Sequence, residues 1–363
     1  MVTISEHLSK DRRFVHLVEA SANPRNAKTS RGILLYSKFP SVGLIDTHTA
    51  GKTSQELMGC GGNIPCKATL KEFLNDGSKP NTLVVGVTPV GGKLPAAMRA
   101  VVMEAIHHGL DIWSGLHEFL NDDPEFAAAA KKHNVKIWDV RKPPADLPVG
   151  AGLCLDAKSY ICLFVGTDCA LGKMTAALEL QNALHASTNH KAEFIATGQT
   201  GMMISGWGHP VDAIPGDFMC GVVEKDCMSV DGKCDFILVE GQGSLLHPGF
   251  SPVTLGLMHG SMPDGMIMCH QPSRTHISKR ERFKIPSLKI TGDLYLEMQK
   301  PMKPSKIVGG CLNTYGMTEA DALAAIKAAE DDLQVPFTDP CRFSNTAVLN
   351  ALIAHAKEVG KLK

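Results

Sequence analysis

The chain contains the segment Ser159–Leu184, SYICLFVGTDCALGKMTAALELQNAL, in which three structural signals follow one another. The apolar run Tyr160–Val165 predicts a buried strand. Gly166 and Gly172 enclose a loop, and the residues after it are rich in Ala and Leu, which favour a helix. The backbone N–H groups of such a loop, the positive end of the following helix and the Lys173 ammonium all attract anions. The segment therefore predicts a phosphate-binding site.

The spacing inside this loop differs from the usual phosphate loop, because five residues separate Gly166 from Gly172 and Met174 stands before Thr175. The preceding strand and the following helix supply the context that such a loop requires. The alternative interpretation is a tight turn between strand and helix in which Lys173 is merely solvated. We predict that phosphate is bound by Gly166, Thr167, Asp168, Gly172, Lys173, Met174 and Thr175.

The length and charge of the chain restrict its class. With 363 residues it exceeds what one hydrophobic core usually serves, which favours two domains. It has 37 basic and 37 acidic residues and no long run of either sign, so we expect neither a nucleic-acid partner nor a membrane surface. The polar start, Met1–Phe14, shows no secretory signal, and no apolar run approaches a bilayer span. We therefore expect a cytoplasmic enzyme.

The cysteines do not predict a metal site. Their number, 11, is odd, and they include no Cys-x-x-Cys pair. Cys220, Cys227 and Cys234 recur at every seventh residue, whereas zinc ligands usually come as closely spaced pairs. Reduced thiols of a cytosolic protein are the simpler interpretation. The 15 histidines include no His-Glu-x-x-His, so we predict no bound metal.

Strands and helices alternate through residues 1–150, which indicates a small, doubly wound parallel sheet with helices on both faces. The predicted strands are Gly32–Tyr36, Val42–Asp46, Asn81–Val87, Asp111–Trp113 and Val135–Val140. The predicted helices are Ile4–Val18, Thr69–Leu74, Ala96–His108 and Pro124–His133, the last with Asp123 as its N-cap. Three prolines and two glycines in Lys142–Gly152 indicate a linker, so residues 151–363 are predicted to form the second domain.

Two strand ends of the second domain carry polar residues beside the phosphate loop. Glu240 follows the predicted strand Asp235–Val239, and an acidic residue at such a tip holds a metal or orients a water in phosphate-loop proteins. Asn313 follows the apolar strand Lys306–Leu312, where a nucleotide base is commonly recognised. The alternative for Glu240 is a carboxylate that binds the backbone of its own glycine turn.

These motifs resemble those of known proteins. Gly166–Thr175 and Val239–Gly241 are similar to dethiobiotin synthetase and neighbouring phosphate-loop ligases and ATPases. A closer resemblance, over most of residues 30–345, is to a family first catalogued as a domain of unknown function and later assigned as D-glutamate N-acetyltransferases. The segments that carry it are Val85–Pro95, Ser114–Asp122, Asp139–Pro144, Gly166–Thr175, Thr197–Ile204, Asp217–Glu224, Val239–Pro248, Thr254–Pro263 and Leu312–Ala322. The resemblance implies an α/β protein with a Rossmann-like N-terminal domain and a phosphate-loop NTPase-like C-terminal domain.

The resemblance also implies that an acetyl group moves from acetyl-CoA to the amino group of a D-amino acid, chiefly D-glutamate. The phosphates of CoA suit a phosphate loop as well as those of ATP do. The amine must lose a proton before it attacks, and Glu240, Asp168 and His247 are the candidate bases. The glycine turns would supply donors for the oxyanion. We expect substrate contacts from Gln199, Gly241, Gln242, Gly243, Arg274, Arg280 and Lys93, of which the three cations would bind the two carboxylates.

Two other functions stay open. The loop alone is compatible with a Mg-ATP-dependent ligase or kinase of the dethiobiotin synthetase type, in which Thr175 and Glu240 would bind Mg²⁺. The second function that stays open is a nucleotide-binding switch or scaffold without catalysis. In each case the expected partner is a small molecule. Oligomers are common among such enzymes, and although no segment shows an interface, a homo-oligomer stays open.

Overall fold

The computed structural model describes residues 11–87, 89 and 91–363. It contains two compact units. The N-terminal unit comprises the described residues up to Pro143 together with Gly198–Ala213, and the C-terminal unit comprises Pro144–Thr197 and Ile214–Lys363. No helix in these described ranges is both long and apolar enough to cross a membrane.

A six-stranded parallel sheet forms the centre of the N-terminal unit. Its strands are β1 (Phe14–Leu17), β2 (Ser41–Ile45), β3 (Cys66–Lys67), β4 (Thr82–Val85), β5 (Asp111–Ser114) and β6 (Ile137–Asp139). Its helices are α1 (Lys28–Tyr36), α2 (Ser54–Met58), α3 (Leu70–Asn75), α4 (Ala96–His107), α5 (Pro124–His133) and, from later in the chain, α7 (Gln199–Ser205). The strand order is β3-β2-β1-β4-β5-β6 with every neighbouring pair parallel. The sheet grows outward from β1 in both directions, as in other doubly wound folds.

Local sequence signals explain several of these elements. Asp123 caps α5, because its carboxylate accepts hydrogen bonds from the N–H groups of Glu125 and Phe126, and Pro124 occupies the first helical position. All four residues of β1 and all four of β4 are buried, the pattern of strands covered on both faces. The strands predicted at β2, β4, β5 and β6 and the helices predicted at α3, α4 and α5 are confirmed, with ends shifted by at most two residues.

Two predictions near the N-terminus are wrong. The predicted strand Gly32–Tyr36 lies inside α1, in which Ile33 is buried and Leu35 is exposed. A short apolar run shows no period of its own, so it does not distinguish a strand from a half-buried helix. Within the predicted helix Ile4–Val18, residues 14–17 form β1 instead, because four consecutive buried side chains fit a central strand better than one side of a helix. Residues 4–10 of that prediction lie outside the described part.

A second six-stranded parallel sheet forms the centre of the C-terminal unit. Its strands are β7 (Tyr160–Gly166), β8 (Ala192–Ile195), β9 (Phe236–Val239), β10 (Gly265–His270), β13 (Lys306–Leu312) and β14 (Phe337–Thr338). An antiparallel hairpin outside this sheet consists of β11 (His276–Ile277) and β12 (Arg280–Lys284). The helices are α6 (Lys173–Ser187), α8 (Met219–Val230), α9 (Ser251–Ser261), α10 (Leu288–Gln299), α11 (Glu319–Leu333) and α12 (Thr346–Glu358). The strand order is β14-β13-β10-β7-β9-β8.

The strand β7 lies at the point in this sheet where the order in which the chain connects the strands reverses. The chain passes from β7 to β8 and β9 on one side and then to β10, β13 and β14 on the other. Open parallel sheets bind ligands at the carboxyl ends of their strands at such a point. The residues that follow β7, β9, β10 and β13 meet at this edge, and they include the phosphate loop, Glu240 and Asn313.

Residues 198–213 leave the C-terminal unit and belong to the N-terminal one, where α7 packs against α1. The guanidinium of Arg141 donates a hydrogen bond of 2.7 Å to Oε1 of Gln199 and forms an ion pair with Asp212. Gly115 permits this approach, since a Cβ atom there would lie 2.6 Å from Cγ of Gln199. The chain therefore crosses between the two units after residues 143, 197 and 213, whereas we predicted one division, after residue 150.

Candidate functional site

The phosphate-loop motif forms a turn between β7 and α6. Gly172 has φ +105°, and Ala170 has φ +51°, a left-handed conformation that glycine adopts without a Cβ penalty. Gly172 is also the N-cap of α6 and has no side chain that could accept from the first N–H groups of the helix. Those N–H groups carry the positive end of the helix dipole. The turn therefore presents the donors that a phosphate requires.

The ammonium of Lys173 is buried within this turn, and the residue is 5% exposed. It donates hydrogen bonds of 2.8 Å to the backbone carbonyl oxygens of Asp168 and Gly243. Burial lowers its pKa from the ordinary value. An ammonium has three N–H donors, and the two carbonyls use two of them. The third donor remains for an anion, whose charge would offset the cost of burying the lysine.

Asp168 is fully buried and holds the loop to the segment that follows β10. Its Oδ2 accepts a hydrogen bond from Nη1 of Arg274 at 2.9 Å and another from the N–H of Ser278 at 2.7 Å. Its Oδ1 accepts from the N–H of Cys169 at 2.6 Å. The Asp168 carboxylate therefore accepts three hydrogen bonds, one of them from a cation. The geometry indicates that Asp168 positions the loop, and its predicted role as a base stays a prediction.

Glu240 joins the ends of β8 and β9. Its Oε2 accepts a hydrogen bond from the N–H of Thr197 at 2.9 Å, and its backbone carbonyl accepts from the Thr197 hydroxyl at 2.9 Å. The side-chain amide of Gln242 donates to the carbonyl oxygen of Thr197. Because Glu240 is only 7% exposed, these bonds hold its carboxylate in one place at the ligand edge of the sheet. This fixed position is compatible with the proton-accepting role that we predicted.

His247 lies in the turn after Gly243 and is buried. Its Nδ1 accepts a hydrogen bond of 3.0 Å from the N–H of Gly249, and its ring stacks on Phe250 with 4.4 Å between centroids. Burial lowers the pKa of His247, so the neutral imidazole is favoured. Since Nδ1 is an acceptor, we assign the proton of the neutral ring to Nε2. In this form the Nε2–H group of His247 is a hydrogen-bond donor, and its predicted role as a base stays a prediction.

Cys169 also lies in the site, although we did not predict a role for it from the sequence. Its Sγ, a ring nitrogen of His247 and a carboxylate oxygen of Asp168 all lie within 4.8 Å of one another. These are metal-ligating residue types, yet Arg274 donates to both Asp168 and the Cys169 carbonyl, and the Lys173 ammonium is also close by. Two cations repel a third, so the cluster favours an anionic ligand. A thiol inside a phosphate loop was the sequence signal that could have identified it.

The remaining loop residues lie at the same edge. Gly166 ends β7, and Met174 and Thr175 are half-buried in the first turn of α6. The hydroxyl of Thr167 is 2.8 Å from Nδ1 of His270, a second residue that we did not predict. Burial lowers the pKa of His270 to about 4, so the neutral ring accepts this hydrogen bond from Thr167. The position of His270 at the end of β10 was the signal for it.

Three further predicted residues of the C-terminal unit lie in different surroundings. Arg274 is engaged with Asp168 through the bond described above. Arg280 is exposed on β12, where one of its Nη atoms donates to the carbonyl of Lys279. Asn313 is half-buried at the end of β13, and its Oδ1 accepts from the N–H of Tyr315 at 3.2 Å.

The last two predicted substrate residues belong to the N-terminal unit. Gln199 begins α7 and binds Arg141, and Lys93 is exposed in the loop before α4. Thr88 and Val90 of that loop lie outside the described residues. Contacts of Gln199 and Lys93 with a substrate therefore stay predictions.

Comparison with known proteins identifies the family. The P-loop domain model of the family of unknown function DUF1611 matches residues 148–349, and the Rossmann-like domain model of the same family matches residues 47–143. The chain belongs to the DUF1611 family. A crystal structure of a DUF1611 protein from Anabaena variabilis is similar over 95% of this chain and 100% of that one, with a TM-score of 0.90 and 34% identity. The family match confirms the predicted Rossmann-like and P-loop architecture.

Two curated relatives, each of which matches most of the chain, indicate the class of reaction. A D-glutamate N-acetyltransferase of Tritonibacter scottomollicae is 40% identical over 310 residues, which is 85% of this chain and 90% of the relative. A D-glutamate N-acetyltransferase of a Pseudoalteromonas species is 36% identical over 263 residues, 72% of this chain and 78% of the relative. The predicted resemblance to D-glutamate N-acetyltransferases is confirmed, and the homology supports an enzyme of the N-acetyltransferase class.

Proposed function

We propose that the protein transfers an acetyl group from acetyl-CoA to the amino group of D-glutamate. The names of the two curated relatives, which match most of the chain, support the reaction and the acceptor. The observation that supports acetyl-CoA as the acetyl donor is the buried ammonium of Lys173 at the positive end of α6. Two of its three N–H groups donate hydrogen bonds to backbone carbonyls. A buried cation in that position favours an anionic ligand, and the diphosphate of CoA fits it.

The diphosphate of CoA would lie on the loop. Lys173 and the first N–H groups of α6 would donate to its oxygens, as would the hydroxyl of Thr175. Asn313, at the end of β13, would face the adenine base. This arrangement uses the donors that the loop leaves at the N-terminus of α6, where Gly172 supplies no side-chain cap.

The acceptor must react as a neutral amine. Its nitrogen attacks the carbonyl carbon of the thioester, the bond to the CoA sulfur breaks, and the nitrogen loses a proton to a base while the departing thiolate gains one. Glu240 is the base that we propose, because the N–H of Thr197 holds its carboxylate at the ligand edge of the sheet, whereas Nδ1 of His247 is bound to the N–H of Gly249. The Nε2–H of His247 is a donor that would stabilise the oxyanion.

Release of free thiol tests the proposal. Purified protein with acetyl-CoA should release one thiol for each amine acetylated when D-glutamate is added, and almost none without an amine. Because thioester aminolysis needs no metal, EDTA should leave the rate unchanged. A panel of D- and L-amino acids defines the acceptor class. Absence of thiol release with every amine would exclude the proposed activity.

A Mg-ATP-dependent ligase or kinase is the second candidate. It is favoured by Thr175, whose position in the first turn of α6 suits the hydroxyl that binds Mg²⁺ in phosphate-loop proteins. Glu240, at the end of the neighbouring strand, would be the second oxygen ligand. Formation of ADP that stops when EDTA is added would support this candidate, whereas EDTA-resistant thiol release without nucleotide would exclude it.

A further inference from the structure

The strand β12 presents a row of positive charge. Its sequence is Arg-Glu-Arg-Phe-Lys, and all five residues of Arg280–Lys284 are exposed. Three of these five residues, Arg280, Arg282 and Lys284, are cations, and one, Glu281, is an anion. None of these three cations forms an ion pair within the part of the chain that the structure describes. A group of exposed cations without ion-pair partners attracts a multiply charged anion.

The hairpin that carries this row is attached to the phosphate loop. The N–H of Ser278, in the hairpin, donates to Oδ2 of Asp168 at 2.7 Å, and Arg274, just before the hairpin, donates to the same oxygen at 2.9 Å. Burial is the main cause of the lowered pKa of His247, and the positive charge of Arg280 lowers it further. The hairpin is therefore bonded to the loop, and Arg280 of β12 acts electrostatically on His247 beside it.

The position of the hairpin, directly after β10 in the chain, corresponds to one part of a bound nucleotide. The hairpin follows β10, which pairs with the loop strand β7 on one side and on the other with β13, whose end carries Asn313. A nucleotide with its diphosphate on the loop and its base near Asn313 would extend its ribose past the end of β10, because β10 lies between β7 and β13. In CoA this ribose carries a 3′-phosphate, a group that ATP and ADP lack.

We propose that Arg280, Arg282 and Lys284 form the binding site for the 3′-phosphate of CoA. This inference rests on the proposed use of acetyl-CoA. It assigns Arg280 to the acetyl donor, although we had predicted that this residue binds a carboxylate of the acceptor. Charged hydrogen bonds to the phosphate favour CoA over dephospho-CoA by about tenfold at low salt, and the exposure of the cations makes this preference fall as salt rises.

Calorimetric titration of the full-length protein with CoA and with dephospho-CoA tests this site, since the two ligands differ only in the 3′-phosphate. The wild-type protein should bind CoA about tenfold more tightly. The double variant Arg282→Gln/Lys284→Gln should bind both ligands alike, with its affinity for dephospho-CoA unchanged. The control Lys225→Gln/Lys233→Gln removes two exposed lysines at and beside α8 and should keep the wild-type preference.

Each outcome has a distinct meaning. Equal affinity of the wild-type protein for the two ligands overturns the 3′-phosphate site and leaves the acetyltransferase proposal standing. A preference for CoA that persists in the Arg282→Gln/Lys284→Gln variant overturns the assignment to this strand. If neither ligand binds, the use of acetyl-CoA is wrong and the inference falls with it.

Discussion

A Cβ atom on Gly241 would lie 1.5 Å from the backbone carbonyl oxygen of Phe164. The chain that leaves β9 therefore lies directly against the backbone of β7, just before the phosphate loop. The same Cβ atom would lie 2.8 Å from Cδ of Lys173. This close approach fixes the segment that carries Glu240 and the lysine of the loop relative to each other.

We expect Gly241→Ala to lower the free energy of unfolding by roughly 3 kcal/mol, because a methyl group cannot enter this space unless two strands separate. The displacement should also weaken CoA binding by moving Lys173. Urea unfolding and calorimetric titration measure the two effects. Gly216→Ala is the matched control, since a methyl group there would have no atom within 4 Å and the φ of Gly216 is not positive. A Gly241→Ala protein as stable as this control would contradict the prediction.

Lys173→Ala should reduce the affinity for CoA at least about tenfold, because it removes the one full positive charge inside the loop turn. Titration with CoA measures the loss, and a thermal melt establishes that the variant is folded. Lys225→Ala, on the exposed side of α8, is the control and should bind normally. Unchanged affinity in a folded Lys173→Ala protein would mean that the loop does not bind CoA.

Glu240→Gln should lower kcat on the order of 100-fold or more while KM for acetyl-CoA changes little, because an amide cannot take the proton of the amine. The amide oxygen can still accept from the N–H of Thr197, so the fold should be preserved. The steady-state rate of thiol release measures the effect. Glu193→Gln, an exposed glutamate on β8, should keep wild-type activity. If Glu240→Gln is equally active, the base is another group.

His16 should make the N-terminal unit less stable in acid. It is fully buried on β1, and burial lowers its pKa from 6.5 to about 3. As the pH falls below 6.5 the unfolded chain binds a proton that the folded chain takes up only near pH 3. The free energy of unfolding therefore decreases across this interval by up to about 1.4 kcal/mol per pH unit, and His16 has no such effect above it.

Tryptophan fluorescence can follow this effect, since all three tryptophans, Trp113, Trp138 and Trp207, belong to the N-terminal unit. Urea unfolding between pH 4 and 7 should show a smaller pH dependence in His16→Gln than in the wild-type protein. His108→Gln, at an exposed position after α4, should keep the wild-type slope. Equal slopes in His16→Gln and the wild-type protein would show that another group controls the acid limit.

Much of the fold could be predicted because its signals are local. The strand, glycine loop and helix of Ser159–Leu184 follow one another along the chain, and the Asp123 cap involves residues two and three positions away. The misassigned segment Gly32–Tyr36 shows the limit of such signals, since only the folded unit decides that Ile33 is buried while Leu35 is exposed.

The chemistry of the candidate site depends on residues that are far apart in the chain. Asp168 and Arg274 are 106 positions apart, and no local pattern indicates that the guanidinium would donate a hydrogen bond to the carboxylate. The ring nitrogen of His247 to which we assign the proton likewise follows from a contact that folding creates. The same holds for the place of Gln199 in the N-terminal unit.

The amino-acid order alone was sufficient to predict the phosphate-loop turn, the place of Glu240 at a strand tip and the two α/β domains. The reason is that hydrophobic periodicity and turn residues act over a few positions. Which donors and charges surround Asp168, Glu240 and His247 was decided only by the folded chain. The reason is that these donors come from different strands and turns, which lie far apart in the sequence and meet only on folding.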